Sequence, residues 1–120
     1  MPLTILHAED HKVVADAVRE TLEERGWRVV TCADGGAALT HLAGGAPVDL
    51  LITDNHLPNV NGVEVVRYAR ALAHRRRVPV IMFTASECRD EARAAGVDVY
   101  LCKPETSPHL HLLRSTLTNA

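Results

Sequence analysis

The chain has 120 residues, 47% hydrophobic and 23% charged, with 13 basic side chains against 15 acidic ones and a formal charge of −2. That length suits one domain, and at this size roughly two thirds of the unfolded surface can be buried, enough for a core without disulfide or metal staples. The charge balance argues against nucleic acid or a membrane surface as a partner, and no apolar run approaches the roughly 20 residues that span a bilayer.

Leu3 to Leu6 is a short apolar run that stops at Glu9-Asp10. Val13, Val14, Ala17, Val18 and Leu22 then recur every three or four positions, which predicts a helix capped by Asp10 and stopped by Gly26. Trp27 to Cys32 reads as a second strand. Asp34 opens a helix through Ala37, Ala38, Leu39 and Leu42 that ends at Gly44-Gly45 and Pro47. Val48 to Thr53 is a third strand without polar alternation, the pattern of a strand covered on both faces. Asn61-Gly62 precedes a helix carrying Val63, Val66, Ala69, Leu72 and Ala73. Arg75-Arg76-Arg77 is expected at its solvated end, where the helix dipole favours positive charge. Val78 to Phe83 is a fourth strand, with Pro79 near its start. A short helix over Glu87 to Ala95 stops at Gly96, Val97 to Cys102 forms a fifth strand, and a last helix follows Ser107-Pro108 through Leu110, Leu113 and Leu117.

Strict alternation of strand and helix implies right-handed crossovers and an α/β, doubly wound, five-stranded parallel sheet of the flavodoxin-like order 2-1-3-4-5. In such a sheet, ligands bind beyond the carboxyl ends of the strands where the order reverses, here outside strands one and three. Strand one ends in Glu9-Asp10, strand three in Thr53-Asp54, strand four in Thr84-Ala85-Ser86 and strand five in Lys103-Pro104. Three carboxylates, a hydroxyl and an ammonium should therefore converge. Two like charges about 4 Å apart cost on the order of 4 kcal/mol at a protein surface, and one lysine cannot neutralise three acids. A hard divalent cation, magnesium above all, satisfies the remainder and brings phosphoryl chemistry with it. A carboxylate is a competent nucleophile toward phosphorus, giving an acyl phosphate.

At these residues the chain resembles the receiver domain of two-component response regulators over essentially its whole length, 1–120. The matching residues are Glu9-Asp10, Asp54 with Pro58 and Gly62 downstream, Thr84-Ala85, and Tyr100-Leu101-Cys102-Lys103-Pro104. Each motif is weak alone, whereas five in order on the expected elements form a strong signal. The resemblance implies that Asp54 accepts a phosphoryl group from a sensor histidine kinase or histidine phosphotransfer protein. It implies that Glu9, Asp10, Asp54 and the His56 backbone carbonyl hold Mg2+, and that Lys103 pairs with the phosphoryl group. Thr84 and Tyr100 would be a moving pair that reports phosphorylation to the face of helix four, strand five and helix five. A cytoplasmic signalling module is implied, catalysing only its own phosphorylation and dephosphorylation, with an unnamed downstream protein target.

Three positions depart from the family pattern. Leu57 stands where methionine is usual, and Glu105 where an apolar residue is commoner. Thr84 and Lys103 are 19 positions apart, about three fewer than usual and close to one helical turn, which predicts a shortened helix four. That shortening keeps a rival open, a degenerate receiver that binds a partner without phosphorylation. A magnesium phosphatase or nuclease on a similar sheet wants a second acid two after the nucleophile, where His56 stands. A flavin binder is opposed by Glu9-Asp10, which would repel the cofactor phosphate. His7, His11, His41, His56, His74, His109 and His111 show no metal-ligand spacing and read as surface or packing residues. His56 alone sits near enough to Asp54 to influence the lifetime of an acyl phosphate. Cys32, Cys88 and Cys102 lack a CxxC spacing and read as reduced packing residues.

Overall fold

A computed structural model describes residues 2–103. The elements run β1 (Thr4–Ala8), α1 (Lys12–Glu23), β2 (Arg28–Cys32), α2 (Gly35–Ala43), β3 (Leu50–Thr53), α3 (Gly62–Ala71), β4 (Val80–Thr84), α4 (Arg89–Ala95) and β5 (Val99–Cys102). The strands pair in parallel in the order β2-β1-β3-β4-β5, as the alternation of elements predicts. The predicted closing helix and Glu105 lie outside the described residues.

Side chains alternate across the sheet, so each strand feeds two cores. Leu6, Leu51, Val80 and Met82 pack with Leu42, Val63, Val66 and Ala92 of the helices on one face. Ile5, Val29, Ile52, Ile81 and Phe83 pack with Val18 and Leu22 of α1 on the other. His7 shares that second face, since it lies two residues from Ile5 on β1. It is 1% exposed, and neither ring nitrogen finds a hydrogen-bond partner among the described residues. Burial, reinforced by the Lys103 charge and opposed by Asp54, lowers its pKa to about 4.

Helix starts follow their polar caps at two of the predicted places. Asp34 accepts from the Ala37 N–H at 2.7 Å, and Asn61 accepts from the Glu64 N–H at 2.9 Å. Asp10 does not cap α1: the N-cap residue is His11, without a side-chain bond. The Asp10 carboxylate instead gathers with those of Glu9 and Asp54. The helix stops one turn before Gly26, which takes φ +82° in the connecting turn.

The arginine run is also placed differently from expectation. α3 ends at Ala71, so Arg75 to Arg77 belong to the connection leading to β4. Arg75 is 4% exposed. Its guanidinium donates to the carbonyls of Leu42, Gly44 and Ala46 at 3.0, 2.8 and 2.7 Å, closing the carboxyl end of α2. Arg70 ties the next layer: it donates to the Val78 and Gly96 carbonyls and to the Asp98 carboxylate, which also accepts the Val80 N–H. Gly96 is in the left-handed region (φ +109°) and its missing side chain leaves room for Arg70, whose Nε would lie 2.8 Å from a Cβ there. Of the three cysteines, Cys32 and Cys88 pack inside, whereas Cys102 is exposed, contrary to the packing expectation. α4 spans only seven residues, the predicted shortening.

Candidate functional site

Backbone ladders carry the candidate residues just past the strand ends. The Glu9 N–H donates to the Cys32 carbonyl at 2.9 Å, Asp54 to Ala8 at 3.0 Å, and Lys103 to Thr84 at 2.8 Å. Sheet pairing thus continues one residue beyond each strand and fixes where three charged side chains begin. The loop after Asp54 folds back tightly: the Gly62 N–H donates to the Asn55 carbonyl at 2.9 Å. A Cβ on Gly62 would lie 2.0 Å from the Asp54 carbonyl oxygen, so only glycine permits this return.

Glu9, Asp10, Asp54, His56, Thr84 and Lys103 line one cavity of about 600 Å³. One carboxylate oxygen from each of Glu9, Asp10 and Asp54 lies within 4.8 Å of the others. Lys103 Nζ donates to Glu9 Oε1 at 2.5 Å and to Asp54 Oδ2 at 2.8 Å, and stands 5.6 Å over the Phe83 ring. The Thr84 hydroxyl and the His56 N–H donate to Asp54 Oδ1, the latter at 3.2 Å. Glu9 Oε2 accepts from the His11 N–H at 3.2 Å.

Burial sets the electrostatics. Glu9 is 2% and Asp54 7% exposed, while Asp10 faces solvent. Desolvation raises the Glu9 pKa against the pull of Lys103. Burial also disfavours the Lys103 ammonium, but its bonds to Asp54 and Glu9 outweigh that and leave its pKa above the ordinary value. The lysine is therefore firmly charged, and Glu9 is held ionised only at a cost. Three carboxylates facing one ammonium leave negative charge unbalanced, the donor set that a hard cation with oxygen ligands fits. Among the described residues the cluster comprises Glu9, Asp10 and Asp54, and His7, His41 and His74 lie outside it.

The expected residues therefore meet, Tyr100 excepted. Tyr100 lies in β5 and reaches the loop between β4 and α4, where its hydroxyl donates to the Ser86 carbonyl. Ser86, which the sequence places at the end of strand four without a role of its own, and His11 and Val14, which it reads as packing or surface residues, also line the cavity. Position gives the only signal for Ser86, since it stands two after Thr84.

The family model described as "Response regulator receiver domain" matches residues 5–113. The chemotaxis protein CheY of Pseudomonas aeruginosa is 31% identical over 108 residues, covering 88% of this chain and 87% of that protein. The phosphate regulon transcriptional regulatory protein PhoB of Rhizobium meliloti is 38% identical over 105 residues, but the match spans only 46% of it. Among solved structures, the receiver domain of a sensor histidine kinase from Pseudomonas aeruginosa, with a magnesium ion coordinated in its active-site cleft, superposes with TM-score 0.84. It is 30% identical, with 99% of this chain and 97% of that one covered. With its sheet order, its acidic rim and these likenesses in agreement, the chain belongs to the response regulator receiver domain family.

Proposed function

We propose that residues 1–120 act as one phosphoacceptor module, in which Asp54 takes a phosphoryl group from a phosphohistidine of a sensor kinase or phosphotransfer protein. Receiver domains are signalling modules rather than conventional enzymes, and this reading confines catalysis to the module's own phosphorylation and hydrolysis. The observation that carries it is the charge imbalance at the rim: three carboxylates within 4.8 Å and one ammonium bonded to two of them.

Glu9, Asp10, Asp54 and the His56 carbonyl are assigned to hold Mg2+. Bound there, the ion offsets charge on the phosphoryl oxygens. Asp54 Oδ1 accepts from Thr84 and from the His56 N–H, and Oδ2 from Lys103; Oδ2, freed when Lys103 moves, is assigned as the attacking atom. An O–P bond forms at Oδ2 as the N–P bond of the donor breaks, and the donor imidazole leaves with the electron pair. Lys103 moves from the carboxylate to the arriving phosphoryl oxygens, and the Thr84 hydroxyl donates to the same group. Among the described residues no helix is long and apolar enough to cross a membrane; a cytoplasmic setting and a protein target downstream complete the proposal.

Incubation with acetyl phosphate and Mg2+, followed by intact mass measurement, tests it. The wild type gains one phosphoryl group, whereas Asp54→Asn and a metal-chelated sample gain none. A wild type that is never labelled returns the chain to the rival role of a phosphorylation-independent binder.

A further inference from the structure

Successive residues of β4 face opposite sides of the sheet. Thr84 stands on the side of Met82 and reaches Asp54 Oδ1 with its hydroxyl. Phe83 stands on the other side, 1% exposed, in the core that holds Ile5, Ile52 and Ile81. It pairs in register with Leu101 of β5, which packs against the same core. Lys103 lies two residues beyond Leu101 and so leaves the sheet on that side. Its ammonium ends 5.6 Å over the Phe83 ring while donating to Glu9 Oε1 and Asp54 Oδ2.

We infer that Phe83 is a positioning residue for phosphoryl transfer, its ring face holding the Lys103 ammonium beside Asp54 Oδ2 by a cation–π contact. The transfer half of this inference rests on the phosphoacceptor reading, whereas the contact itself does not. Three properties suit the ring to this task. The ammonium is half-buried, and loss of water strengthens its attraction to a π face. The ring carries no formal charge, so it holds the cation without adding to the crowded acids or competing for Mg2+. It is also fixed in the core, so it stays beneath the ammonium when Lys103 gives up Asp54 Oδ2 for the arriving phosphoryl oxygens. An aliphatic residue at 83 would fill the core but offer the ammonium no such face. β4 thus serves both oxygens of Asp54: Thr84 directly at Oδ1, and Phe83 through Lys103 at Oδ2.

Phe83 is the only phenylalanine of the chain, so expression in a phenylalanine auxotroph replaces it alone with mono-, di- and trifluorophenylalanine. Each fluorine drains the ring face while leaving the shape nearly unchanged. Without metal or phosphodonor, the urea unfolding equilibrium of the full chain should move stepwise toward the unfolded state. The shift should reach about threefold at trifluorophenylalanine, the loss of one partly desolvated cation–π contact. The same series in Glu9→Gln with Lys103→Met, which removes the cation without stranding Glu9 as a buried charge, should be flat. Equal steps in both proteins refute the contact. With saturating Mg2+ and acetyl phosphate, the rate constant for labelling Asp54 should also fall about threefold along the series, at an unchanged Mg2+ dissociation constant. A rate indifferent to fluorine refutes the positioning role, as does one that falls only in step with Mg2+ affinity. If the wild type is never labelled, the phosphoacceptor reading and the positioning role fall together, and unfolding alone decides the contact.

Discussion

Two cations, Arg75 buried and Lys103 half-buried, stand at opposite edges of the sheet, and their partners make them different objects. At the amino edge, the Arg75 guanidinium meets three backbone carbonyls, all neutral acceptors at 2.7 to 3.0 Å. At the carboxyl edge, the Lys103 ammonium meets two carboxylates, with a third close by. The first arrangement is complete, because dipoles satisfy a planar fork of donors. The second is not, because negative charge is left over. A buried charge marks a staple when neutral groups satisfy it and a site when its partners still need something more.

The contrast breaks most visibly at Arg75. Arg75→Met should cost about 4 kcal/mol, since the carbonyls at the end of α2 lose a charged donor. Urea unfolding measures the loss, and labelling of the folded fraction by acetyl phosphate should be unchanged. A loss below about 1 kcal/mol would show that the closure is dispensable.

A second test lies between the edges, at His7. Its pKa falls from 6.5 unfolded to about 4 folded, so the unfolded chain binds the proton first. The stability of the neutral ring is complete above about pH 6.5 and is lost as pH falls toward 4, by about 3 kcal/mol. Urea titrations at stepped pH should show this slope in the wild type and a flatter one in His7→Leu. Glu9, with its raised pKa, works in the opposite sense and remains in both proteins.

Mutation at the site should show the reverse sign. Asp54→Asn removes one of the crowded charges; its single amide oxygen can still accept from Thr84, while Lys103 keeps its bond to Glu9, so the metal-free protein should gain about 1 kcal/mol. Magnesium should then raise the melting temperature of the wild type more than that of the variant. A destabilised Asp54→Asn protein would mean that the rim is already balanced. The smallest effect belongs to the exposed Lys12–Asp16 pair on α1: Lys12→Ala should change stability by less than about 0.5 kcal/mol in the same urea assay.

The strands, their order and the charged rim were legible because each depends on local pattern and topology. Leu50-Leu51-Ile52 reads as doubly buried without any knowledge of its neighbours, and a carboxylate at its end has one place to go. Arg75 was misread because its partners lie more than 25 residues away, and nothing near it distinguishes a solvated helix end from a long-range clamp. Asp10 resembles a cap by spacing alone, but attraction to a shared cation site competes with capping and is invisible to periodicity. His7 falls on an inward position of β1, yet its lack of a hydrogen-bond partner depends on what packs above it. Tyr100 could be placed on β5 but not against Ser86, because that contact requires the actual length of α4.

The link made by Arg70 bears on how the molecule comes apart. β5 has a single strand neighbour, β4, and one guanidinium grips the Gly96 carbonyl and the Asp98 carboxylate just before it begins. Peeling from the C-terminal side would therefore withdraw Lys103 before the anchor at Asp98 gave way. Such a partly frayed molecule would keep most of its sheet yet be unable to hold a phosphoryl group, so signalling competence would be surrendered at a lower temperature than the fold itself.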